Sequence, residues 1–280
     1  MEKYLLTVIC ALLPLVSTAQ AQLQTKNFKI SDICERTLEI VLTGDIMMDA
    51  EMREEIPNVW HISPYEFCTQ KQFEERKRSE EYYFLTVTDS YFGRNSGSCI
   101  RSLTLFKGDP DAGEGTDGMY RITTIPFYGT DNVDGRHIAF LPALTGILQE
   151  QVKVILDKDF NIGDMVRVKP SNAMRAWSKP VMIAREDIAF PLDKSLKSRN
   201  IIITDAEQVE ECIRTRDPRY MVGYSVGPAT PSPDAVCFTM VIDAQSHELH
   251  YFHRRNVSAT IQTGFDKADF RAINSHAGKR

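Results

Sequence analysis

The chain has 280 residues, 42% of them hydrophobic, with 33 basic and 38 acidic side chains and a formal charge of −5. A chain of this length and composition buries a sizeable core without metal or disulfide staples. The acidic balance excludes the cationic stripe of a nucleic-acid binder, because Arg76-Lys77-Arg78 and Arg254-Arg255 are short and lie near acidic neighbours.

Residues 1–21 read as a cleavable secretory leader. Lys3 precedes an apolar run from Tyr4 to Val16, and Ala19-Gln20-Ala21 has the small-residue pattern of a cleavage site. The run contains Pro14 and falls well short of the roughly twenty residues that cross a bilayer. Cys10 lacks the small neighbours of a lipid-attachment site. The expectation is a soluble exported protein, periplasmic or extracellular, that begins near Gln22 and has no stable membrane insertion.

Residues 22–157 form a first unit with a lead-in containing Asp45-Ile46. Thr69-Gln-Lys-Gln72 has the form of a helix capping box, in which the threonine hydroxyl accepts from a free amide while Gln72 reaches back. A β-rich run follows from Tyr82 to Val87, and then a glycine-rich turn, Gly93–Gly97. Tyr91 and Phe92, placed before that turn, are the candidate binding residues, since loop aromatics form contact surfaces as well as capping cores. Cys99–Phe106 and Met119–Ile125 read as second and third strands. Between them lies the acidic loop Gly108–Gly118, where Asp109, Asp111, Glu114 and Asp117 offer hard oxygens on a glycine-bent backbone, the chemistry of a calcium site. The EF-hand spacing fails, with Glu114 and Tyr120 where glycine and glutamate are required, so a solvated hairpin loop is the simpler reading. From Pro142 to Leu156 the residues Leu144, Leu148, Val152 and Ile155 continue one apolar helical stripe from Leu141.

Residues 158–200 read as an irregular connector, interrupted by Pro170, Pro180 and Pro191 and containing Asp187-Ile188, Trp177 and Phe190. Residues 201–280 then repeat the first pattern. Asp205-Ala-Glu-Gln208 matches Thr69–Gln72, and strand-like runs at Arg219–Tyr224, Cys237–Ile242 and Glu248–His253 precede a helix at Asp266–Ile273. Cys99 and Cys237 stand at corresponding strand starts. The fold class expected is α+β: two similar helix–strand–strand–strand–helix units with antiparallel meanders and helices on one face, consistent with an internal duplication.

Five cysteines follow the leader, Cys34, Cys68, Cys99, Cys212 and Cys237, an odd number without a close pair. This argues for small core residues rather than a disulfide framework, with one bridge left open. His247, His250 and His253 are not a zincin helix, since Tyr251 replaces the second histidine, and strand alternation sends His250 and His253 apart as exposed, titrating side chains. There is no Gly-x-Ser-x-Gly, Ser-x-x-Lys, Walker loop or dinucleotide fingerprint, and neither unit carries a nuclease Glu-x-Lys on its strands. No cofactor is expected. A cysteine–histidine pair assembled from Cys68 or Cys212 with His61 or His137 stays open, and Asn256-Val-Ser258 fits a glycosylation sequon. The reading is an exported module that binds a protein or small ligand in a groove between its halves. The alternatives are a secreted hydrolase with a site assembled from distant residues and an oligomer built through strand edges.

Overall fold

The computed structural model describes residues 29–92, 99–131, 135–157, 164–174, 176–192, 200–232 and 235–277, so the leader and the Gly93–Gly97 turn lie outside the described residues. The first unit runs β1 (Leu38–Val41), α1 (Ile46–Val59), β2 (Tyr65–Cys68), α2 (Gln70–Arg76), β3 (Tyr83–Tyr91), β4 (Cys99–Lys107), β5 (Tyr120–Gly129) and α3 (His137–Asp157). The second runs α4 (Pro170–Met174), β6 (Val181–Ala184), β7 (Ile201–Thr204), α5 (Ala206–Arg214), β8 (Met221–Val226), β9 (Ala235–Asp243), β10 (Leu249–Val257) and α6 (Lys267–Ala277). The fold is α+β, with two five-stranded sheets ordered β2-β1-β3-β4-β5 and β7-β6-β8-β9-β10. This identical order is consistent with a duplication.

Each sheet contains the expected antiparallel meander, β3-β4-β5 or β8-β9-β10. Two short parallel strands extend each meander at its first edge. Four residues leave little alternation to read, and β1, buried throughout, also carries a buried Glu39, held by Arg76. The connector reading of residues 158–200 is corrected on the same ground. Val181-Met-Ile-Ala184 lies in the middle of the parallel half of the second sheet, and Pro180 precedes it with a carbonyl that accepts from Met221 N. Met165 makes a single bridge to Thr124. α3 begins at His137, five residues before Pro142, because Ile138-Ala-Phe-Leu141 is itself apolar and helix-compatible.

The pairing registers align the units. Leu38 pairs with Tyr65 and Tyr83, and Val181 pairs with Ile201 and Met221. The helix caps Thr69 and Asp205 follow Tyr65 and Ile201 at the same distance, so the capping signal and the sheet register agree. Tyr83 in turn pairs with Lys107 and Met221 with Asp243. By this register Cys99 corresponds to Ala235, and Cys237 to Arg101, so the two cysteines do not coincide but are offset by one strand repeat.

Helices cover both faces of the first sheet, not one. Leu38, Ile40, Tyr83, Leu85, Leu103 and Leu105 pack against Met52 and Ile56 of α1 and Phe140, Leu144, Leu148 and Val152 of α3. The opposite face packs Val41, Cys68, Phe84 and Phe106 against Phe73 of α2 and Ala112 and Met119 of the acidic loop. In the second sheet, the face corresponding to Phe84 carries Val222, Tyr224, Phe238, Met240 and Ile242 and belongs to the same continuous core as α3. Its other face packs Val181, Ile183, Met221 and Val241 against Phe265, Phe270 and Ile273 around α6. The units therefore stack in the same sense, with α3 between the sheets. By length and composition α3 alone among the described helices could cross a membrane, but 67% of its most apolar window is buried inside the molecule.

This stacking fills the junction where a groove was expected. The Phe140 ring stacks on Tyr224 at 3.9 Å, and the Tyr224 hydroxyl donates to the Phe127 carbonyl. A Cβ on Gly129 would collide with the Gly227 carbonyl. Arg136, just before α3, grips Asp187, just after β6, through Nη2–Oδ2 at 2.7 Å and Nη1–Oδ1 at 3.2 Å, and Ser225 Oγ donates to Asp187 Oδ1 at 2.7 Å. The junction keeps a void of about 20 Å³ beside Ile147, Gln151, Asn172 and His247, room for one water.

Candidate functional site

Four strand positions differ in character between the otherwise matching sheets. Where the second sheet has Tyr224, Val226, Phe238 and Met240 buried against α3, the first has Thr86, Thr88, Ser102 and Thr104. Among the described residues no helix equivalent to α3 covers these four positions, and hydroxyls replace the apolar groups. Thr88 Oγ1 lies 2.8 Å from Thr104 Oγ1, which lies 2.7 Å from Thr124 Oγ1, and Ser90 Oγ donates to Ser102 Oγ at 3.0 Å. The hydroxyls of Thr88, Ser90, Ser102, Thr104 and Thr124 thus find partners across the strands.

At the end of this face lies a crevice of about 440 Å³, lined by Thr43, Gln70, Glu74, Thr88, Asp89 and Thr116 among others. Its place follows from the topology. β1 leads through α1 to β2 on one side, and the chain returns through α2, on the opposite face, to β3 on the other side. Strand order reverses there, and crevices outside the carboxyl ends of strands at such points are common ligand sites. Thr43 and the Gly44 amide are held by Asp49, with Thr43 N and Gly44 N donating to its Oδ1 and Oδ2 at 2.7 and 3.0 Å, which fixes the turn after β1. Asp45 caps α1 by accepting from Met48 N. The next residues, Ile46 and Met47, are 87% and 71% exposed.

Charges at the crevice are mostly paired. Arg101 Nε donates to Asp89 Oδ1 at 3.2 Å and Arg101 Nη1 to the Tyr128 hydroxyl at 2.9 Å; that hydroxyl and Asp89 hold the guanidinium above its ordinary pKa. Lys77 is buried against Glu74 and donates to the Gly115 carbonyl, while Arg78 donates to Ala112, so α2 ties down the acidic loop.

The structure divides the residues singled out in the sequence. Tyr91 ends β3 at this same end of the sheet and is 66% exposed. Phe92 instead packs edge-on against Phe238 at 5.2 Å, beneath Arg254, and joins the two units. The loop bearing Asp109, Asp111, Glu114 and Asp117 contributes Gly115 and Thr116 to the crevice, but its carboxylates do not gather: among the described residues no three His, Cys, Asp or Glu side chains converge as a metal would require.

The histidines are corrected in one respect. His250 and His253 do diverge on β10, but His247 and His250 are buried, not exposed, because the β9–β10 turn folds under α3 and Trp177 stands edge-on to His250. His253 Nδ1 lies 2.8 Å from the fully buried Asp269, which also accepts from the Tyr251 hydroxyl at 2.7 Å. No described hydrogen bond joins His253 or Asp269 to a serine or cysteine. The cysteine–histidine pairs left open by the sequence gain no support: His137 stacks on Tyr128 at 4.0 Å, and burial pushes the Cys68 thiol up to about 12 and Cys212 to about 11, far from nucleophilic.

All five described cysteines are free, and of these only Cys34 is exposed. A thiol reagent added to the native protein is therefore expected to modify Cys34 rapidly and Cys68, Cys99, Cys212 and Cys237 only on unfolding. Mass mapping that finds rapid labelling at any of those four would contradict this packing.

Compared with family models, curated proteins and solved structures, the chain gives no match.

Proposed function

We propose that this is an exported, non-enzymatic binding module whose site is the crevice beyond the carboxyl end of β1. The carrying observation is the contrast between matching sheet faces: one is apolar and buried by α3, the other is hydroxyl-lined and ends in an open cavity. A polar cavity of this volume, with Ile46, Met47 and Tyr91 exposed at the same end of the sheet, has the mixed lining of ligand and protein sites.

The test uses Thr116→Trp, which fills the crevice from a half-buried loop position outside the main core. Thermal-shift screening against amino acids, neutral oligosaccharides and short peptides is expected to yield compounds that raise the Tm of the wild type and leave Thr116→Trp unshifted. A panel without any such compound, or compounds that shift both proteins equally, would contradict the reading. The contact of His253 with Asp269 favours a second reading, a hydrolase, because a buried carboxylate orienting an imidazole is half of a catalytic triad. It ranks second for want of a described nucleophile.

A further inference from the structure

We infer that the crevice receives an extended, basic polypeptide segment that adds to the first sheet as a strand along the free edge of β3. The inference rests on the proposed binding role of the crevice and names its occupant. β3 is nine residues long, but its ladder to β1 covers only Tyr83–Leu85 and stops at the Ile40–Leu85 pair. The Tyr82 carbonyl accepts from Gly108 beside β4, while Tyr83 N donates to Thr37 beside β1. Backbone groups alternate along a strand, so those of Asp89 and Tyr91 point to the side that β1 has vacated. Neither residue has a described backbone partner on that side, and Asp89 lines the crevice. The outward N–H and C=O of Asp89 thus face the crevice, and those of Tyr91 continue the row without a described partner, at the spacing an extended peptide matches.

The second unit shows the same edge closed. There Ser225 of β8 donates to Asp187, Arg136 sits against that carboxylate, and Gly129 packs on Gly227. Exposed edges are usually blunted by proline, lysine, bulges or clustered charge. β10 carries a bulge and Arg254-Arg255, whereas β3 from Val87 to Tyr91 carries neither proline nor bulge and a single charge. The partner's sign follows from the loop at the mouth: Asp111, Glu114 and Asp117 are exposed and enter no described ion pair, so Lys or Arg on the added strand would meet unneutralised carboxylates. Ile46, Met47 and Tyr91 offer apolar surface to its alternate side chains.

The probe is a displayed library of random heptapeptides, selected on the full chain. Basic peptides are expected to be enriched and to bind Asp89→Pro at least thirtyfold more weakly than Asp89→Ala, since both remove the carboxylate and only proline removes the outward N–H while leaving the β4 side paired. Methylating alternate backbone nitrogens of a selected peptide is expected to cause the same loss on the wild-type protein, so the result does not depend on the proline variant folding. Absence of basic peptides among those enriched, or peptides indifferent to both Asp89→Pro and N-methylation, would overturn strand addition. If Thr116→Trp abolishes binding while these two changes do not, strand addition falls and the crevice stands; if none of the three matters, both fall.

Discussion

Exchanging Asp187 for asparagine is expected to lower the unfolding free energy by about 3–5 kcal/mol, the usual consequence of stranding one partner of a buried ion pair. The Arg136 and Asp187 side chains are 12% and 6% exposed, and their two-pronged contact joins the start of α3 to the end of β6. Asparagine keeps one carbonyl oxygen for Ser225 but offers the guanidinium no charge and only one of the two acceptors it now uses. Arg136→Met combined with Asp187→Asn is expected to lose less than the two single losses added together, because no charge is then left buried. Urea unfolding of the four proteins measures this, and purely additive losses would show that the pair is not coupled.

The second large effect is a loss of stability in mild acid. Burial, with a smaller contribution from the nearby Arg216 charge, lowers the His247 pKa from 6.5 to about 4. The unfolded chain therefore binds a proton between these values that the folded protein refuses. The contribution of the neutral imidazole is complete above pH 6.5 and is lost as pH falls toward 4, amounting to about 3 kcal/mol. Asp32, Asp243 and Glu150, whose pKa values are lowered, act in a separate window: desolvation opposes their ionisation, but their lysine and hydrogen-bond partners outweigh it, and their stabilisation is lost only as pH falls through those depressed values. His247 sits at φ 58°, a conformation asparagine tolerates. Unfolding measured from pH 7 to pH 4.5 is expected to show a falling stability in wild type and a flatter profile in His247→Asn. Parallel profiles would contradict the assignment.

What the sequence revealed and what it concealed have physical causes. The Thr69 capping box forms with both of its bonds, and Asp205 caps α5, because such signals are local. Gln208 departs from the box and binds Thr204 instead. The meander strands and the α3 stripe were legible because each is long enough to show its period. The four-residue strands β1, β2, β6 and β7 were not, since four residues are too few to show a period: β1 is buried throughout, while β2 and β7 are partly exposed edges. Tyr91 was legible as a loop-side aromatic, but Phe92, its neighbour, turned inward, which only the packing of the second unit decides. The hydroxyl row of Thr88, Thr104 and Thr124 is scattered along the chain and becomes a feature only once the strands pair. The crevice depends further on where β1 ends, a property of pairing and not of composition.

The continuity of the core through α3 underlies the stacking, the closed junction and the contrast between the two sheet faces. Each unit holds one tryptophan, Trp60 at the end of α1 and Trp177 before β6, both buried. In Trp60→Phe and Trp177→Phe proteins, denaturant unfolding followed by the remaining tryptophan is expected to coincide with unfolding followed by circular dichroism of the same protein. A fluorescence transition clearly separated from the circular dichroism transition in either protein would mean that the units unfold independently, and would contradict a single core.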